Sequence, residues 1–278
     1  MNLTAIASTC IGVVLAGIGL ASCASPEPSP SPSPTRSTSP PAKTTTVDVY
    51  YMVDTRVGLR LAREQHDVPE SRAVEAAIAA MIAGADDPDY TTTWNPDTRI
   101  RSVRRHGGDV TVDLSADARR ANVGSAGAAL MIQQLVHTVT GAAPGTAEVT
   151  LLIDGEPAGE LWGAVSWDGP VRRDQPMDVR HLVQIDTPRE RSVVMSPVVV
   201  TGDAAVFEAT LPWRVLDRTG RTVRSGVAQT SEGQRFARFR FEIPLPPGNY
   251  TIEITEDDPS GGVAGARMTD TKTIVIRH

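Results

Sequence analysis

The sequence predicts an α+β fold, a small two-helix, mixed-sheet domain, followed by an all-β sandwich of immunoglobulin type. Three observations carry that prediction. In the first half, two segments repeat apolar residues at helical spacing, between runs that alternate apolar and polar. From about Leu182 onward no helical period occurs at all. Turn residues cut that second region into short alternating runs. The resulting division is an N-terminal segment over 1–22, a tether over 23–44, the α+β domain over 45–165 and the sandwich over 180–278.

In the first domain, Val47, Val49, Tyr51 and Val53 alternate with Asp48, Tyr50, Met52 and Asp54, which reads as a half-buried strand. Val57 to Arg63 alternates again, with Leu59 and Leu61 on one face. Pro69 and Glu70 open a helix, proline suiting the first turn. Val74, Ala77, Ile78, Met81 and Ile82 then form an apolar stripe. Gly84 stands where a C-terminal cap glycine belongs, and Asp86-Asp87-Pro88-Asp89 breaks the chain. Ile100–Arg105 and Val110–Leu114 are strands joined by a turn at His106-Gly107-Gly108-Asp109. Ser125 starts a second helix whose core face is Ala128, Ile132, Leu135, Val136 and Val139, with Gly141 ending it. Glu148–Asp154 is the last strand, and Asp154-Gly155 turns it back toward Leu161-Trp162. The order β-β-α-β-β-α-β suggests both helices on one face of a single sheet.

In the second region Phe207, Ala209, Leu211, Trp213 and Val215 alternate with polar residues, as do Phe239, Phe241 and Ile243. Tyr250, Ile252 and Ile254 repeat the pattern, and Ile274 with Ile276 closes it. Turns are expected at Thr201-Gly202-Asp203, Arg218-Thr219-Gly220, Glu232-Gly233, Pro246-Pro247-Gly248 and Pro259–Gly262. About seven short strands at that spacing point to an immunoglobulin-type sandwich. All four phenylalanines lie here, as core formers.

The N-terminus is of a different character. An apolar stretch from Ile11 to Ala21 runs into Leu20-Ala21-Ser22-Cys23 and then a Pro/Ser tract. Leu, two small residues and Cys is the pattern of a bacterial lipoprotein signal, cut just before the cysteine, whose thiol takes acyl chains such as palmitate. The apolar stretch is shorter than the ~20 residues a membrane span needs, which favours cleavage over an uncleaved anchoring helix. Ala24–Lys43 holds seven prolines among twenty residues. Extended at ~3.1 Å per residue, such a tether spans up to about 60 Å. The expected location is therefore the extracytoplasmic face of the cell membrane, with lipid at Cys23 as the anchor.

Cys10 and Cys23 are the only cysteines among 278 residues, so the folded region holds no disulfide and no cysteine metal site. Lys43 and Lys272 are the only lysines, a usage that reads as genomic bias rather than chemistry. Residues 44–165 carry ten arginines against seventeen carboxylates, whereas 166–278 balance at fifteen basic residues, Lys272 included, against fifteen carboxylates. An acidic domain disfavours nucleic acid and the anionic membrane surface alike. No G-x-S-x-G, H-E-x-x-H, P-loop or dinucleotide fingerprint occurs. His66, His106, His137, His181 and His278 are scattered, and His137 reads as a helix-surface or partly buried residue. Asp86–Asp89 and Glu256-Asp257-Asp258 lack EF-hand spacing and read as solvated turns rather than calcium ligands. Asp109 and Asp113 share one strand rather than facing across a cleft, and Glu208 points outward by alternation. Trp162 and Trp167 suggest a contact between the domains. No catalytic residue, metal ligand or cofactor is assigned; the assigned site is Cys23.

The order of these motifs resembles a known pair of families. Val49-Tyr50-Tyr51, Ile82-Ala83-Gly84, Asp109–Ser115, Leu135–Thr140 and Ile153-Asp154-Gly155 resemble the GerMN domain of sporulation and germination proteins. Ser196–Gly202, Phe207–Leu211 and Gly248–Thr251 resemble the immunoglobulin-like domain found behind it in spore-germination lipoproteins. The resemblance spans about Val47 to Arg277. It implies an extracytoplasmic lipoprotein without known catalysis, which associates with itself or docks on an envelope protein partner. A cell-wall accessory that binds peptidoglycan, or regulates enzymes acting on it, is the alternative. If Cys23 is acylated, Cys23→Ala abolishes acyl labelling and lowers the intact mass by the lipid; an unchanged mass refutes the anchor.

Overall fold

β1 (Thr44–Thr55) and β2 (Gly58–Pro69) form a long antiparallel hairpin, twelve residues on each arm, that turns at Arg56-Val57. This structure is a computed structural model and describes residues 43–257, 263 and 265–277. Cys23, its apolar flank, the Pro/Ser segment through residue 42 and the Pro259–Gly262 turn lie outside the described residues. After a 3-10 turn at Glu70–Arg72 comes α1 (Ala73–Ala83), which buries Val74, Ala77, Ile78, Met81 and Ile82, the expected stripe. Gly84 ends it at a φ of 104°, its N–H donating to the Ala80 carbonyl at 3.1 Å. That left-handed conformation carries little penalty only for glycine.

β3 (Ile100–His106) and β4 (Asp109–Leu114) pair around Gly107-Gly108. α2 (Ser125–Ala142) then crosses to β5 (Glu148–Ile153), which lies parallel to β4. Asp154 and Gly155, both at positive φ, fold β5 onto β6 (Glu156–Pro157). A small pair, β7 (Gly159–Leu161) and β8 (Val165–Trp167), completes this half.

The expected element order holds, but the single sheet does not. The hairpin stands apart from a four-stranded sheet in the order β3-β4-β5-β6. α1 packs on β1, β2 and β3, while α2 packs on β1, β2 and β5, so the helices serve both sheets. Covering of this kind explains why Val49 through Met52 are all buried, where alternation predicted one wet face. Tyr51 donates its hydroxyl to the Ala80 carbonyl of α1 at 3.2 Å, and the Tyr50 ring meets His137 of α2 edge-on at 4.9 Å.

α2 continues past Gly141, whose missing side chain lets β1 approach: a Cβ there would lie 3.1 Å from the Asp48 carbonyl. Trp162 and Trp167 are core residues of this half and make no bridge to the next. Trp162 packs edge-on against Trp94 at 5.6 Å and donates to the Ala118 carbonyl, and Trp167 is fully buried in the same cluster.

A short helix, α3 (Pro176–Val179), leads into the sandwich. Its strands are β9 (Val183–Thr187), β10 (Ser192–Met195), β11 (Val198–Ala204) and β12 (Thr210–Asp217). β13 (Thr222–Gln229), β14 (Ala237–Ile243), β15 (Gly248–Thr255) and β16 (Thr269–Arg277) follow. One sheet runs β10-β16-β15-β12-β13 and the other β14-β11-β9. Val183, Val200, Leu211, Val215, Ile252 and Ile274 fill the space between them.

Two expectations change here. Thr201-Gly202-Asp203 is not a turn but a bulged part of β11, where a Cβ on Gly202 would sit 1.8 Å from the Gln184 carbonyl. Phe207 lies in a 3-10 turn and is exposed, so β12 begins later than the alternation suggested. Both halves belong to one compact unit.

Candidate functional site

Charges converge not in an open cleft but along a buried seam where β2 and the loop after α1 meet β9, β11 and β16. Its centre is Lys272. On β16, Asp270, Lys272, Ile274 and Ile276 are the buried residues of one parity. The same strand face is therefore apolar against its own sandwich and charged against the first half. The Lys272 ammonium reaches Asp87 at 2.7 Å, Asp270 at 2.8 Å and the Tyr90 hydroxyl at 3.0 Å, and is 97% shielded from solvent. Tyr90 donates to Asp270 at 2.6 Å, and the Ile185 N–H donates to the other Asp270 oxygen at 2.5 Å. Burial pulls the lysine pKa down, but Asp270, Tyr90 and Asp87 outweigh it, so Lys272 stays protonated well above the usual lysine range. Burial, reinforced by Asp270, pushes the Tyr90 phenol up and keeps it a neutral donor.

The loop that delivers Asp87 and Tyr90 is held from β2. Glu64 accepts from the Asp86 and Asp87 N–H groups at 3.1 and 2.6 Å, and Asp89 reaches back to Thr271 at 2.9 Å. Burial resists ionisation of Glu64, yet His66 and these backbone donors lower its pKa overall. The second node is Arg63 on β2. Its guanidinium is bidentate to Asp186 at 2.8 Å and touches Asp203 at 3.2 Å, and Arg180 takes the other Asp203 oxygen at 2.7 Å. Gln184 pairs with the Arg63 backbone in both directions, at 2.8 and 2.9 Å, as a strand neighbour would. The third node is Glu256, which binds Arg56 from the hairpin turn and the Met268 N–H. The space left beside the seam is about 40 Å³, close to one water molecule.

These contacts correct the sequence reading of the acidic clusters. Asp87 and Glu256 are buried ion-pair partners rather than solvated turn residues. Among the described residues no group of three or more His, Cys, Asp and Glu side chains is arranged to hold a metal. Lys272, set aside as composition, is the seam's cation. Asp113 accepts from the Gly155 N–H at 3.0 Å and so fixes a turn, while Asp109 is exposed. Glu208 is exposed in the turn before β12 at a φ of 49°. His106 is exposed at the β3–β4 turn, and His181 is buried with Nδ1 donating to the Val183 carbonyl at 2.6 Å. Among the described residues the histidines are not brought together. Among the described residues no helix is long and apolar enough to cross a membrane.

His137 is a second correction: it is 1% exposed, not on the helix surface, and neither ring nitrogen has a partner within the described residues. Burial first, then Arg173 and Arg180, lower its pKa from 6.5 to about 3. Unfolded, the imidazole takes a proton below 6.5, and folded it does not until about 3. Stability therefore falls as pH drops through that window, by up to ~1.4 kcal/mol per unit. His137→Phe should flatten this acid limb in denaturant melts at pH 4 to 7; an unchanged slope refutes the assignment. For the seam, Lys272→Met leaves two buried carboxylates facing a phenol with no cation and should cost ~3–5 kcal/mol. Adding Asp270→Asn should recover part of the loss, and a cost below ~1 kcal/mol would show that the seam does not clamp the halves.

Residues 48–159 match the family model described as "Sporulation and spore germination", and residues 182–263 match "Immunoglobulin-like domain of bacterial spore germination". Among solved structures, the tandem GerMN domains of the sporulation protein GerM from Bacillus subtilis are 19% identical, with a TM-score of 0.41. That match covers 51% of this chain and 50% of the other, so the chain spans about half the length of the tandem structure. The first GerMN domain of the same protein is 16% identical, covering 47% of this chain and 96% of that one at a TM-score of 0.37. A putative lipoprotein from Clostridium perfringens is 16% identical, covering 46% and 87% at a TM-score of 0.34. No curated protein matches the chain. Residues 48–159 are thus similar to the sporulation and spore germination family, and residues 182–263 to the immunoglobulin-like domain of bacterial spore germination.

Proposed function

We propose that this protein is a non-enzymatic, lipid-anchored assembly module on the extracytoplasmic face of the membrane, which presents two locked domains to an envelope protein partner or to a second copy. The observation that carries this reading is how the buried charges are committed. Lys272, Arg63, Asp87, Asp203 and Asp270 each hold protein partners at hydrogen-bonding distance within the seam. Such groups fix one domain against the other and leave no ionised side chain there free for a substrate. Rigid two-domain bodies with open strand edges suit main-chain pairing with a partner. β3 and β13 are such edges, each hydrogen-bonded on one side only. The family descriptions support a place in sporulation- or germination-type complexes, and the sequence pattern at Cys23 supports the lipid anchor.

Affinity purification of the full chain from crosslinked, detergent-solubilised envelopes, read by mass spectrometry, tests this. A stoichiometric envelope protein, or the chain crosslinked to itself, is the expected result. Recovery of wall fragments and their enzymes with no stoichiometric partner would overturn it in favour of a wall accessory.

A further inference from the structure

Arginine is spread unevenly over the acidic first half. Of its ten arginines, Arg72, Arg99, Arg101, Arg104 and Arg105 lie on β3 or beside it. All five are exposed, and only Arg101 has carboxylate neighbours among the described residues, Asp113 at 3.4 Å and Asp154 at 3.2 Å. The others stand unneutralised on a domain whose formal charge is negative. β3 is also the end strand of its sheet, so the backbone groups on its outer side have no ladder partner. Between it and α1 runs a groove of about 380 Å³ lined by Ala76, Ala79, Ile100 and Val103, with Arg72, Arg101 and the single carboxylate Glu75 beside them. Unpaired main chain, a partly apolar groove and four arginines without a carboxylate partner among the described residues occur together at one edge.

We infer that the β3 edge and the β3–α1 groove form a docking strip for an extended, acidic segment of a protein partner, which adds to the sheet as a fifth strand. The inference rests on the assembly reading above and gives that reading a surface and a partner chemistry. Charge supplies the sign of the partner, since carboxylates on alternate residues would meet the arginine rim. The open ladder supplies the class, because a polyanion without a peptide backbone cannot use it. At ~3.3 Å per residue the seven residues of β3 offer about 23 Å, enough for a seven-residue segment. Arginines on an edge also discourage indiscriminate pairing of apolar strands, so the same residues select the partner.

The test uses the full chain in detergent with a fluorescent nine-residue peptide of alternating Glu and Val. Expected is salt-sensitive binding that weakens about tenfold or more in Arg104→Glu/Arg105→Glu, both exposed positions, with an unchanged melting temperature. The same peptide N-methylated at alternate residues should also bind about tenfold or more weakly, because it cannot complete the ladder. No binding of the acidic peptide, equal binding of the methylated peptide, or equal competition by linear polyphosphate would each overturn the proposal, the last two by revealing a generic anion face. Crosslinking the double variant separates this inference from the broader one. A partner captured by wild type and retained by the variant sinks the docking strip alone, whereas absence of a partner in both sinks the assembly reading.

Discussion

The relation between the two domains depends on buried cations, Arg63 and above all Lys272. Lys272 sits on a sandwich strand, yet two of its partners, Asp87 and Tyr90, belong to the first domain. Removing an ammonium and two carboxylates from water costs several kcal/mol per ion, and mutual attraction offsets this only when every donor and acceptor is matched. Here they are matched, down to the Ile185 N–H on the far oxygen of Asp270. A close-packed apolar contact could hold the domains as tightly. What it could not do is penalise a shifted arrangement so steeply, since a displacement of one residue would strand a charge in the interior. The exposed pair of Asp67 with Arg189 makes the contrast: it is bidentate at 2.7 and 3.0 Å, but in water such a pair adds little.

Much of the fold was legible because its signals are local. The stripe Val74, Ala77, Ile78, Met81 and Ile82 and the cap at Gly84 need only a helix period and a glycine, and both stand where spacing put them. Gly202 and Gly141 were misread for a single reason. Glycine marks either a turn or a close approach, and only the neighbouring chain, the Gln184 carbonyl or the Asp48 carbonyl, distinguishes the two. The dry faces of β1 were likewise hidden, because alternation reports one covered side and the second cover comes from helices far along the chain.

The seam was the least legible feature, for a related reason. An Asp-Asp-Pro-Asp run carries the composition of a turn whether its carboxylates face water or a lysine some 185 residues away. One clue was present. Asp270 and Lys272 share the parity of Ile274 and Ile276, so a strand with a buried apolar end had charges on the same face. Two opposite charges two residues apart on an inward face indicate a buried pair and a second body covering it.

The seam also accounts for the charge left on the surface. Arg56 and Arg63 are drawn into it, Arg120 is held by Asp97 and Asp117, and Arg119 donates to the Glu160 carbonyl. Four arginines without a carboxylate partner among the described residues, Arg72, Arg99, Arg104 and Arg105, nonetheless cluster around β3, although the domain as a whole is acidic. Charges neutralised in pairs largely cancel, while an unpaired cluster keeps a field within a Debye length of about 8 Å. An approaching acidic chain would be repelled by most of this domain and attracted by one strand edge. The interactions that lock the domains and the clustering of unpaired charge around β3 thus follow from a single partition of the arginines.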